Sequence, residues 1–245
     1  MKFSIIIPAR YKSSRFPGKP LTKILGKEMI LRVLHICNRI AKKKEIFVAT
    51  ENSKIKTLVE KNNFNVIMTS KKCLTGTDRV AEASKKIKTN IFINVQGDEP
   101  VIKSEDIKKI VKKKKKFPNH VICGYTRIGK NESENNINLP KVVLNSKSEL
   151  VYISRLPVPG KKEKNKKIEY LKQVCIYAFS KDQLNKFYKF GKKSHLEKIE
   201  DIEILRFFEL EIPIKMVLVS KSSIAVDIKT DIKKVEKVLR KNERN

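Results

Sequence analysis

The sequence predicts an α/β protein with a mostly parallel central sheet flanked by helices and a β-rich second half. Two observations carry that expectation. Short apolar, β-branched runs alternate with helical patterns through the first half, as buried parallel strands and their crossover helices do. After His120 the strand-like runs follow one another with fewer helices between them. At 245 residues the chain is long enough to bury a substantial core, and it reads as one domain, 1–245. The change of pattern divides it into two halves, about 1–118 and about 119–245.

In order, Phe3 to Pro8 reads as a buried strand, Met29 to Ala41 as a helix, and Glu45 to Thr50 as a strand. Lys54 to Asn62 is a helix, Asn65 to Met68 a strand, Thr77 to Lys86 a helix, and Asn90 to Asn94 a strand. Ser104 is expected to cap the next helix, with Glu105 and Asp106 in its first turn, where acids suit the positive end of the dipole. That helix runs into Lys112 to Lys116, read as a solvated helix end. Strands are expected at Val121 to Tyr125, Val142 to Leu144, Val151 to Ser154 and Val174 to Phe179, with an exposed charged loop over Gly160 to Glu169. Ser180 and Gln183 form a capping box. Leu196 to Glu211 has helical periodicity in Ile199, Ile202, Leu205 and Phe208. Strands at Lys215 to Val219 and Ile224 to Asp227 and a helix from Asp231 complete the chain.

The composition excludes several classes. Cys37, Cys73, Cys123 and Cys175 form no Cys-x-x-Cys pair and lie beside no histidine cluster, so neither zinc nor a disulfide framework is expected. No apolar run approaches the roughly 20 residues of a membrane span. The first strand begins too early for a signal peptide to precede it, and a soluble cytoplasmic protein is expected. The formal charge of +30 suggests an anionic partner. It is mostly lysine spread along the whole chain rather than a focused patch, and no recognised binding motif accompanies it, so nucleic acid is not the expected partner.

Two loops carry the chemistry. Pro8 to Pro20 leaves the C-terminal end of the first strand, the ligand position of open α/β sheets. It concentrates Arg10, Arg15 and Lys19 around Gly18. Guanidinium groups bind phosphate oxygens in bidentate fashion, lysine adds a compact charge, and glycine lets the backbone approach, which suits a triphosphate. The loop is neither the Walker P-loop nor the dinucleotide fingerprint. The second loop, Asn94-Val-Gln-Gly-Asp-Glu-Pro100, places Asp98 at a strand end beside a glycine, where a carboxylate can hold Mg²⁺ against a nucleotide; an ordinary turn is the alternative.

These two loops, with Thr75-Gly-Thr-Asp-Arg79 and the late Val226-Asp227, resemble the 3-deoxy-manno-octulosonate (Kdo) cytidylyltransferase family, in order from about Phe3 to about Val238. The resemblance implies a glycosyltransferase-A-like nucleotide-diphospho-sugar transferase fold, usually a homodimer, with a nucleotide-binding half (about 1–118) and a half for the sugar pocket and dimer contacts (about 119–245). It implies transfer of CMP from CTP to the anomeric hydroxyl of Kdo with Mg²⁺ as cofactor, a step in lipopolysaccharide or capsule synthesis. By the same resemblance Arg10, Arg15 and Lys19 grip the triphosphate with Ala9 beside them, and Gly76, Arg79 and Gln96 lie around the cytidine. Asp98 and Asp227 hold the metal, Lys19, Arg10 and Asp98 act in catalysis, and Arg155 reaches the sugar carboxylate. Gln173, Tyr177 and Glu203 line the sugar pocket.

Two departures fall in that pocket. Gln173-Val-Cys-Ile-Tyr177 stands where the family usually has His-x-Gly-Ile-Tyr, and Glu203-Ile-Leu-Arg206 stands for Glu-Gln-Leu-Arg, putting Ile204 where a sugar-contacting amide is expected. Glutamine hydrogen-bonds but does not become charged. Such changes alter which sugar binds more than which reaction occurs, so another 3-deoxy-2-ulosonic acid is the alternative acceptor. A sugar-1-phosphate nucleotidyltransferase using another base is a further alternative.

Overall fold

The computed structural model describes residues 2–13, 16–129, 132–163, 168–220 and 224–243. The chain begins with β1 (Phe3–Pro8), a hairpin of β2 (Lys23–Ile24) and β3 (Lys27–Glu28), and α1 (Met29–Cys37). β4 (Ile46–Thr50), α2 (Ser53–Lys61), β5 (Asn65–Met68), α3 (Gly76–Ser84), β6 (Ile91–Val95) and α4 (Ser104–Lys116) continue the alternation. The second half holds β7 (Val121–Arg127), β8 (Lys141–Leu144), β9 (Leu150–Ser154), β10 (Leu171–Ser180), α5 (Lys181–Lys189), α6 (His195–Glu200), α7 (Arg206–Glu209), β11 (Ile214–Leu218) and α8 (Asp231–Glu243).

One nine-stranded sheet runs β11-β7-β10-β6-β1-β4-β5, with β8 paired to β10 and β9. β6, β1, β4 and β5 are mutually parallel, and β11 is parallel to β7. β10 is antiparallel to both β6 and β7 and so joins the two halves. β1 is buried on both faces: Ile5 and Ile7 enter one apolar cluster with α1, α2 and α4, whereas Ile6 enters the other with α3, α5 and α7. That burial explains its unbroken apolar run. A smaller cluster packs Val235 of α8 against Phe16, Met29, Val101 and Val226.

Several expectations need correction. α1 stops at Cys37, short of Ala41. Ser104 is the first residue of α4 rather than its cap; Lys103 holds the cap position, and the Ser104 hydroxyl donates to the Glu105 carboxylate at 3.0 Å. The periodic stretch Leu196 to Glu211 is three short pieces, because Asp201 adopts a left-handed conformation (φ 48°) that ends α6. Ile224 to Asp227 forms no strand; Val226 N–H instead donates to the Asp98 carbonyl at 2.9 Å. The lysine block is not wholly solvated, since Lys114 is fully buried and its ammonium donates to Pro118 O, His120 O and Gln183 Oε1 at 2.7–2.8 Å. Burial lowers its pKa to about 7. The four cysteines are free thiols, Cys37 and Cys123 buried and Cys73 and Cys175 half-buried. No helix among the described residues is long and apolar enough to cross a membrane.

Candidate active site

The C-terminal ends of β1 and β6 meet in a close backbone approach. A Cβ on Gly97 would lie 3.0 Å from the Pro8 carbonyl and 3.3 Å from Ile30 Cδ1, so glycine there lets the two loops touch. Gly18, at φ 71°, turns the first loop back, with its N–H on the Tyr11 carbonyl at 2.9 Å. Tyr11 N–H is in turn held by Glu51 Oε1 at 2.9 Å. Ala9 is buried and its N–H donates to Ala49 O, which extends the strand register into the loop.

Lys19 follows that turn. Its ammonium donates to Asp98 Oδ2 and to Val226 O, both at 2.6 Å. Three distant segments of sequence therefore converge on one cation. Because Val226 N–H is bonded to the Asp98 carbonyl, Asp227 follows directly from a residue in contact with the Asp98 loop. Arg10 is exposed on the same loop, and its charge helps to lower the Asp201 pKa, after the Lys193 hydrogen bond and the Lys193 and Arg155 charges. Arg15 lies outside the described residues.

A second wall forms where α3 begins. Thr75 caps α3 in a capping box with Asp78. Thr77 N–H donates to Glu203 Oε2 at 2.9 Å and Gln96 Nε2 to Glu203 Oε1 at 3.3 Å. Gly76 leaves room for this pair, since a Cβ there would sit 3.2 Å from Gln96 Nε2. Burial raises the Glu203 pKa, opposed by its hydrogen bonds from Thr77 and Thr75. The structure thus brings Gly76, Gln96 and Glu203 together, although the sequence reading divided them between nucleotide and sugar.

Arg79 is placed differently from expectation. It is buried, paired with Glu51 at 2.9 Å and bonded to the Thr69 hydroxyl, so it braces Glu51 and, through it, the first loop. Arg155 spends its guanidinium on three backbone carbonyls: Glu200, Ile137 at 2.7 Å and Asp201 at 3.0 Å. It ties these loops together, and its charge adds to the cationic rim with Arg10 and Lys193. Gln173 and Tyr177 are buried and bonded to each other, Nε2 to Oη, at 3.2 Å. Ile204 is 1 % exposed and belongs to the core cluster that holds Leu205 and Phe207.

One residue without an assigned role in the sequence reading organises the α3 wall. Arg206 is fully buried, with Nε and Nη2 on the two Glu197 oxygens at 2.7 Å and Nη1 on Asp78 Oδ1 at 2.7 Å. Its guanidinium stacks 3.8 Å from the Phe187 ring centre. Asp78 is thereby fixed to orient the start of α3 while Arg206 neutralises it. The local signal was an arginine in a helical apolar stretch, whose partners lie 9 and 128 residues away.

This arrangement, a cationic loop against a strand-end carboxylate beside a polar wall, is suited to holding a nucleoside triphosphate next to an acidic acceptor. A model of the cytidylyltransferase family matches residues 4–217. The 3-deoxy-manno-octulosonate cytidylyltransferase of Thermodesulfovibrio yellowstonii is 37% identical over 247 residues, covering 96% of this chain and 96% of that protein. The Escherichia coli protein of the same description is 33% identical, covering 97% and 96%. A solved CMP:2-keto-3-deoxy-manno-octonic acid synthetase complexed with CTP superposes with a TM-score of 0.91 at 34% identity, over 99% of this chain and 100% of that one. With its fold and nearly its whole length matched in this way, the chain belongs to the cytidylyltransferase family.

Proposed function

We propose that the chain transfers CMP from CTP to the anomeric hydroxyl of 3-deoxy-manno-octulosonate, releasing pyrophosphate. The observation that carries this reading is the convergence of Lys19, Asp98 and the Val226-Asp227 segment, in a chain so similar to a synthetase solved with CTP. The acceptor hydroxyl attacks the α-phosphorus in line, and pyrophosphate departs. Lys19 and Arg10 neutralise charge developing on the phosphate oxygens, and the loops position the two reactants. No covalent intermediate on the protein is required.

The donor set suits Mg²⁺. Among the described residues no three His, Cys, Asp or Glu side chains gather into a cage. Magnesium needs none, being held by one or two carboxylates together with substrate phosphates and water. Asp98 and Asp227 are the carboxylates that would hold it, and bound there it would polarise the triphosphate. A homodimer is supported by β9, which among the described residues pairs with β8 on one edge only and exposes Val151 (54 %) with Leu156 (66 %) just beyond it. Action in the cytoplasm, within lipopolysaccharide or capsule synthesis, accords with this reaction.

Pyrophosphate release from CTP with Mg²⁺ tests the proposal, comparing Kdo with other 3-deoxy-ulosonic acids in wild type and Asp98→Ala. Rapid release with Kdo, abolished in the variant, is expected. Release only with another acid would reassign the acceptor, and no release with any acid would sink the reading.

A further inference from the structure

We infer that the cavity between the β2–β3 hairpin, α1 and α8 is a second anion site, one that binds a phosphate monoester carrying a small apolar group. It shares no residue with the proposed transfer machinery and does not depend on the transfer reading. The cavity has a volume of about 170 Å³. Lys27, Arg32, His35 and Arg39 line it, and Ile36, Pro100 and Leu239 supply apolar contact.

The backbone brings these cations together from separate elements. Leu25 and Gly26 turn the hairpin at φ 44° and 76°, which sets Lys27 opposite Ile24 in the β2–β3 register. Arg32 donates from Nε to the Ile24 carbonyl at 3.0 Å and from Nη2 to the Leu25 carbonyl at 3.3 Å. Its charge is thereby fixed beside Lys27. Arg32, His35, Ile36 and Arg39 recur at intervals of three and four residues, the spacing of one helix face. Arg39 lies just past the end of α1, where its N–H donates to the Ile36 carbonyl at 3.2 Å and continues the turn. The His35 ring stands edge-on to Phe64 with centroids 5.9 Å apart, and the Lys43 ammonium lies 4.7 Å from the same Phe64 ring.

The cations repel one another. Burial lowers the His35 pKa, and the charges of Lys27, Lys43 and Arg39 lower it further. Burial and then Arg32 lower the Lys27 pKa, against Glu28. Glu28 and Glu105 are within electrostatic reach of Lys27 and Arg39 respectively, but among the described residues no carboxylate lines the cavity. A helix C-terminus favours cations. That accounts for Arg39, but not for Lys27 on a separate hairpin or for Arg32 near the start of α1. An anion seated between them relieves the repulsion, and phosphate accepts paired hydrogen bonds from guanidinium groups.

The apolar residues decide what the phosphate carries. Pro100 is buried, and Ile36 and Leu239 are half-buried; the stems of Lys27, Arg32 and Arg39 extend that surface. Inorganic phosphate leaves it unused, whereas a monoester with a small apolar group takes both kinds of contact. Pro100 lies two residues beyond Asp98, and Leu239 packs on the cluster of Phe16, Val101 and Val226. That cluster is drawn from the segments that meet at Lys19, so the cavity adjoins the active-site loops from outside.

The test follows binding to the full chain by calorimetry and by NMR of its three histidine rings, with phenyl phosphate and inorganic phosphate as probes. Phenyl phosphate is expected to bind more tightly than inorganic phosphate and to shift the His35 resonances, leaving those of His120 and His195 in place. The double variant Lys27→Ala, Arg39→Glu should weaken that binding by about tenfold or more, the factor one charge-assisted hydrogen bond supplies. Lys19→Ala should retain it. Binding that survives the double variant and disappears in Lys19→Ala would place the ester in the active site and overturn the inference. Absence of phenyl phosphate binding, or a His35 ring unmoved at saturation, overturns it too, and equal affinity for the two probes overturns the monoester assignment. Vesicles of phosphatidylcholine with and without phosphatidic acid separate the sources of the ester. Binding that needs phosphatidic acid and is lost in the double variant supports a lipid headgroup; phenyl phosphate binding without vesicle binding supports a soluble ester. Should the double variant lose its native circular dichroism, Arg39→Glu alone, at an exposed position, carries the comparison.

Discussion

Replacing Arg206 by methionine removes the cation that the structure places between Asp78 and Glu197. The side chains of these acids are 9 % and 1 % exposed, and that of Arg206 is 0 % exposed. Methionine fills a similar volume, so the cost comes from leaving two carboxylates buried without their counter-charge. Breaking a buried pair in this way costs about 3–5 kcal/mol. For a chain of this size each kcal/mol moves the melting temperature by about 2–4 °C, which gives a fall of roughly 6–20 °C. The pH dependence identifies the cause. In Arg206→Met both carboxylates stay buried with no counter-charge, so taking up a proton relieves them and stability falls as pH rises. The variant's deficit should therefore be largest at neutral pH and shrink on acidification through the ordinary carboxylate range. Because Asp78 caps α3 beside Gly76 and Thr77, KM for CTP should also increase. Thermal unfolding followed by circular dichroism at pH 5 and pH 7 is the assay. A variant melting within about 2 °C of wild type, or one that loses further stability on acidification relative to wild type, refutes the reasoning.

Lys19→Ala should lower kcat by about 10²–10³, the typical cost of removing one charge-stabilising donor; because its pair with Asp98 is partly buried, a modest melting shift accompanies the loss, and an equally active variant would remove Lys19 from catalysis. Gly97→Ala should push the Asp98 loop away from Pro8, where the Cβ would sit 3.0 Å from the carbonyl, and misplacement of this order costs up to about 10²-fold in rate; wild-type turnover would show that the contact relaxes without moving Asp98. Lys114, held near pKa 7 by burial, binds fewer protons folded than unfolded above neutrality. Its contribution should make stability rise with pH between about 7 and 10.5, and denaturant titrations of Lys114→Met should lose that slope; an identical slope in both proteins would contradict the assignment.

The parallel half was legible because its strands are short apolar runs buried on both faces and its helices are amphipathic. Ser180 with Gln183 also marked a helix start through local hydrogen bonds. Ser104 misled because a serine at a helix start can also serve as its first residue. The expected helix from Leu196 to Glu211 failed because periodicity records which face is apolar and is blind to the left-handed turn at Asp201. Of the site, Lys19, Asp98, Gln96 and Glu203 were named from motifs, and the structure gathers them in neighbouring contacts. Arg79 was named as a nucleotide contact and proves to be a brace for Glu51.

The sequence by itself determined the α/β class, the phosphate-suited loop and the strand-end carboxylate, since these follow from residue type, spacing and local periodicity. Only the tertiary structure decided that Lys19 reaches across 79 and 207 residues to Asp98 and Val226. The same holds for Arg206, which neutralises Asp78, and for Arg155, which is committed to loop carbonyls. Each of those outcomes depends on a partner distant in sequence, and on burial, which converts an exposed side chain's options into one required hydrogen bond or ion pair.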